Sequence, residues 1–83
     1  MKQNRYANLA LSDNGFLFDT VTGHTYTLNR TGTFILKALA AGQDAGEVAR
    51  ALTERFEVTA EAASRDIEDF VQRMADLGIA KRE

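Results

Sequence analysis

The chain has no cysteine, no proline and a single histidine in 83 residues. Without cysteine there is no disulfide framework, no thiolate zinc site and no cysteine nucleophile. His24 has neither cysteine nor a close carboxylate pair at ligand spacing, and beside a turn it reads as a solvent-facing side chain rather than a catalytic or metal-binding one. Serine is nearly as scarce. Ser12 falls in a turn and Ser64 on a helix, neither with a partnered base in view, so a nucleophilic triad has no support. The six glycines stand singly at turns and caps, and none opens a G-x-G-x-x-G or G-x-x-x-x-G-K-[ST] phosphate cradle. No apolar run reaches the length of about 18 residues that a membrane span needs, and the opening MKQNRYANL lacks the continuous apolar core of about 7–15 residues of a signal peptide. A cytoplasmic protein that is no enzyme and binds no cofactor and no metal is the expectation.

What is present is ordinary for a globular chain: 45% apolar residues, 27% charged, and a net charge of −2. This length buries only about 60–65% of the extended surface, which permits one domain over 1–83 with one modest core and no large catalytic cleft. Leu9 and Leu11 alternate with Ala10 and Ser12 as in a half-buried strand, until Ser-Asp-Asn-Gly at 12–15 breaks the pattern. A second strand sets Phe16 and Phe18 against Leu17. Thr22-Gly23 turns the chain into a third, where Tyr26 and Leu28 alternate with Thr25 and Thr27.

From Asn29 the period becomes helical. Asn29 is the N-cap; Phe34, Ile35, Ala38 and Leu39 share a face; Gly42 supplies the left-handed stop. Asp44-Ala45-Gly46-Glu47 reads as a capping box ahead of Val48, Ala49, Leu52 and Phe56. Thr59 caps a last, longest helix whose stripe runs through Ala63, Ile67, Phe70, Val71, Met74 and Leu77, and Gly78 lets Ile79 fold back. No linker, repeat or low-complexity tract interrupts. Strands first and helices after predict an α+β fold, a three-stranded antiparallel sheet followed by three helices, similar to a winged helix-turn-helix.

The segment GFLFDTVTGHTYTLNRTGTFILKALAAG at 15–42 resembles the PqqD-like peptide chaperones, also called RiPP recognition elements. Their hairpin F-x-F-D…T-G-x-x-Y-x-L-N is met by Phe16, Phe18, Asp19, Thr22, Gly23, Tyr26, Leu28 and Asn29, and T-G-x-x-I-L by Thr31, Gly32, Ile35 and Leu36. The likeness continues through Gly42, Glu47-Val48, Leu52, Asp66-Ile67, Phe70 and Gly78. Thr20 departs from it, standing where many relatives have proline. The resemblance implies that a precursor's leader peptide docks as an added strand against the third strand, His24, Thr25, Tyr26, Thr27 and Leu28, over a groove bounded by the last helix. It implies presentation to a separate modifying enzyme, often a radical SAM protein in pyrroloquinoline quinone biosynthesis, with other relatives serving other peptide systems.

A three-stranded sheet has two edges with unpaired backbone groups, so strand addition has a physical basis apart from the family. Candidate groove residues are Tyr26, Thr27, Ala63, Ile67 and Phe70, with Asp66 and Arg73 at the rim. Tyr26, Ile67 and Phe70 have spacings that serve a core equally well, and Asp66 reads as readily as a surface carboxylate paired with Arg65. Two other readings stay open. In a DNA regulator the last helix would enter the groove, but from Thr59 to Leu77 the acids Glu61, Asp66, Glu68, Asp69 and Asp76 face only Arg65 and Arg73, a balance that phosphates repel. A docking or scaffold subunit, monomeric or dimeric through its open edge, fits as well.

Overall fold

Alternating residues early in the chain fold into short strands, and the helical periods after Asn29 fold into three helices. The computed structural model describes residues 6–79 as β1 (Leu9–Leu11), β2 (Phe16–Asp19), β3 (Thr25–Thr27), α1 (Arg30–Ala40), α2 (Ala45–Arg55) and α3 (Ala60–Asp76). Of Lys2, Arg5 and Arg30, which give the N-terminal part a slight positive balance, the first two lie outside the described residues. The sheet is an antiparallel meander in the order β1-β2-β3, pairing Leu11 with Leu17 and Leu17 with Tyr26. That register puts Leu9, Leu11, Leu17, Tyr26 and Leu28 on the helix side. Phe16 and Phe18 point away, 61% and 41% exposed, while Leu17 between them is buried.

Capping chemistry sets the helix boundaries. Asn29 Oδ1 accepts from the Gly32 N–H at 2.7 Å, and Thr59 Oγ1 accepts from the Ala62 N–H at 3.1 Å. The Asp44 and Glu47 side chains each accept the other's backbone N–H, a complete capping box. At the α1 C-terminus the Gly42 N–H reaches Leu39 O and the Gln43 N–H reaches Ala38 O, with Gly42 at φ 100°. Asp19 is buried and its carboxylate accepts from the Val21 and Thr22 N–H groups, which fixes the β2–β3 turn.

The core is in two parts joined by α1. One gathers Ile35, Val48, Leu52, Ala63 and Ile67 between the helices; the other gathers Leu17, Leu36, Met74 and Ile79 between sheet and helices. Each large member contributes roughly 1.5–3 kcal/mol by leaving water. Two details differ from the periodicity. α1 is buried on two sides, so Leu36 joins the core beside Ile35. Leu77, expected in the α3 stripe, is 54% exposed, because α3 ends at Asp76 and Gly78 (φ 79°) turns the chain so that Ile79 fills the apolar position instead.

Candidate functional site

Antiparallel pairing decides which backbone groups of β3 are free. The Leu28 N–H donates to Gly15 O (2.8 Å) and the Asp19 N–H donates to His24 O (2.9 Å). Hydrogen-bonded pairs alternate along such a ladder, so His24, Tyr26 and Leu28 turn their backbone toward β2, and Thr25 and Thr27 turn theirs outward. β3 is an edge strand. On the opposite edge the Leu9 N–H is taken by Tyr6 O at 3.1 Å, so among the described residues β3 has the more open of the two edges.

Beside β3 runs a cleft between the sheet and α3. Its larger part, about 390 Å³, is lined by Tyr26, Thr27, Leu28, Phe70, Arg73, Met74, Leu77 and Ile79 among others. A continuation of about 280 Å³ carries Thr31, Ile35, Asp66 and Asp69, and the two share Asn29, Gly32, Phe70 and Arg73. The floor is apolar and the far end charged.

The structure thus brings Tyr26, Thr27, Leu28, Asp66, Phe70 and Arg73 to one cleft, with Thr25 on the adjoining edge. His24 flanks the strand, exposed, with its ring edge-on to Tyr26 at 6.3 Å. Ala63 and Ile67 are not brought to the cleft: at 0% and 3% exposure they pack α3 onto α1 and α2 in the helical core. Helical spacing marks a buried face but does not say which neighbour covers it. Asp66 has no ion-pair partner among the described residues, and Arg65 does not fill that role.

Sequence reasoning missed Asn29, Gly32, Asp69 and Met74 as cleft residues. Gly32 is the most instructive. It sits in the first turn of α1, where a Cβ would lie 3.2 Å from the Phe70 ring and 3.1 Å from Asn29 Oδ1. The missing side chain lets Phe70 lie against α1 and form the cleft floor. Gly32→Ala gains helix propensity of about 0.5–1 kcal/mol, set against this crowding. Unfolding is expected to change little while Phe70 is displaced, which a shift of its aromatic NMR signals detects.

The exposed side of α3 carries Glu61, Glu68 and Asp76 and, at the cleft, Asp66 and Asp69, against Arg65 and Arg73, a net-acidic surface that repels phosphate backbones. Among the described residues no helix is long and apolar enough to cross a membrane.

The described residues form a small α+β domain whose β3 edge is laid beside an apolar cleft. The chain belongs to the PqqD family: residues 14–80 match the family described as coenzyme PQQ synthesis protein D. It is similar to the solved structure of a lasso peptide synthetase B1 complexed with its leader peptide, with 33% identity, a TM-score of 0.74, and coverage of 86% of this chain and 85% of that one. It is similar also to TbiB1 in complex with the TbiA(beta) leader peptide, with 25% identity, a TM-score of 0.75, and coverage of 86% and 84%. No curated protein sequence matches the chain.

Proposed function

We propose that the chain is a non-catalytic carrier that binds the leader segment of a ribosomally made precursor peptide as a fourth strand on β3 and presents it to a separate modifying enzyme. The observation that carries this reading is the outward-facing backbone of Thr25 and Thr27 beside a cleft floored by Phe70. An extended peptide pairs with the first and drops alternate side chains into the second. Support comes from both solved structures being complexes with a leader peptide. The first of them favours a lasso-type precursor; the family description favours pyrroloquinoline quinone synthesis, where a radical SAM enzyme is the partner the resemblance implies. The cleft chemistry calls for an apolar residue over Phe70 and Met74 and a basic residue near Asp66 and Asp69. The same reading has the protein act in the cytoplasm, where a new precursor first meets its enzymes.

Thr27→Pro tests it. The Thr27 N–H lies outside the β2 ladder, and proline is tolerated on an edge strand, so the fold is expected to survive. The lost donor leaves a peptide carbonyl unpaired, at about 1–3 kcal/mol. Calorimetric titration with the leader peptide is expected to show affinity about 5- to 150-fold weaker, since about 1.4 kcal/mol is a factor of ten. Unchanged affinity in a folded variant rules out strand addition at β3.

A further inference from the structure

On the flank of α1 turned away from Gly32 and Ile35 lies a second cleft, of about 450 Å³, between α1, the β1–β2 turn and the end of α2. Arg30, Phe34 and Lys37 reach it from α1 at the four- and three-residue spacing that shares a helix face. Arg55 and Phe56 reach it from the end of α2.

The two rings meet edge to face at 5.6 Å. Each then carries a guanidinium from the other helix: Arg30 lies 5.8 Å from the Phe56 centroid and Arg55 lies 5.8 Å from the Phe34 centroid. Among the described residues neither guanidinium has a hydrogen-bond or ion-pair partner, so both keep their N–H donors for a ligand. Among the described residues the ion pair here is Lys37 with Asp13, and neither arginine has a carboxylate partner. Arg30 also stands at the first position of α1, a turn without acidic residues, where the helix dipole disfavours a cation. A local rule broken in an otherwise consistent chain marks a functional position.

We propose that this cleft docks a carboxylate-bearing segment of a partner polypeptide, a stretch with neighbouring glutamates or aspartates. Two guanidinium forks without a carboxylate of their own can each take a carboxylate bidentately. The crossed phenyl rings give the segment's backbone and methylenes an apolar wall, and the volume exceeds what one free anion fills. Asp13 holds back part of the charge: Lys37 beside it, by hydrogen bond and by charge, keeps its carboxyl below the usual range, so it stays ionised and masks that lysine. The two clefts share Leu28 but otherwise lie on different flanks of α1, and the proposal does not depend on strand addition at β3.

The test titrates hexaglutamate into the isotopically labelled full chain at low ionic strength, with hexalysine, inorganic phosphate and a short DNA duplex as controls. Saturable amide shifts at Arg30, Phe34, Arg55 and Phe56 are expected with hexaglutamate alone. Affinity should fall at least tenfold in the Arg30→Gln/Arg55→Gln double variant, fall severalfold in Arg55→Lys, which keeps the charge but loses the fork, and rise in Asp13→Asn. Equal response to phosphate or duplex at these residues, shifts elsewhere, or no shifts overturns the proposal. Leader peptide titrated into the double variant separates the two readings: undiminished binding supports a second site, and leader binding lost with hexaglutamate binding overturns it. Leader binding absent from the native chain, with hexaglutamate still bound, sinks strand addition and supports this site.

Discussion

Gly15→Ala is expected to cost about 3 kcal/mol of stability, seen as a large fall in the urea midpoint. Two effects add. Gly15 has φ 90°, and a side chain in left-handed backbone costs about 1–2 kcal/mol. Its Cβ would also lie 2.4 Å from the Leu28 carbonyl oxygen and 3.0 Å from Thr33 Oγ1. The first of these is backbone, so the strand joint must move, at about 1–3 kcal/mol for overpacking. A domain of this length has on the order of 4–12 kcal/mol in all. Gly23→Ala is the control, with φ 80° and nothing within 4 Å of its Cβ; it should cost only about 1 kcal/mol. Equal losses at the two sites would show that the close approach of Gly15 to Leu28 does not constrain the fold.

The second large effect is on binding. Phe70 is half-buried, touches both core clusters and lines both parts of the β3–α3 cleft. Such a central aromatic anchor is worth about 2 kcal/mol on truncation, so Phe70→Ala is expected to weaken leader-peptide binding roughly 30-fold. It also removes core contacts, and stability alone does not separate the two roles. Val71→Ala does: Val71 packs against the helical core and lines neither part of the cleft. Both variants should lose stability, and Phe70→Ala alone should lose affinity. Equal affinities in the two would remove Phe70 from the site.

Much of the fold was legible because its signals are local. Asn29, Asp44 and Thr59 announce their helices by side-chain chemistry that needs only the next three residues, and Gly42 and Gly78 end them the same way. Alternation around Leu17 and Tyr26 gave the strands. What stayed hidden depends on residues far apart in the chain. Periodicity marked Ala63 and Ile67 as an apolar pair but could not tell a cleft wall from the α2 interface that covers them. The need for glycine at position 32 is invisible until Phe70 is seen against it. The cationic cleft draws on Arg30 and Arg55, whose charges look like unremarkable helix ends until α1 and α2 cross their aromatic residues.

The brevity of β3 limits what main-chain pairing can achieve. Thr25 and Thr27 offer four outward groups, two N–H and two C=O, and at about 0.5–1.5 kcal/mol net per hydrogen bond they supply roughly 2–6 kcal/mol. Ordering a disordered segment costs about 2–5 kcal/mol, so the two nearly cancel, while a micromolar complex needs about −8 kcal/mol. The whole of the observable affinity must then come from side chains in the cleft. On the proposed reading an added strand works as a ruler that sets register, the choice among peptides belongs to a few positions around Phe70, and substitutions there would retarget the domain while leaving its sheet untouched.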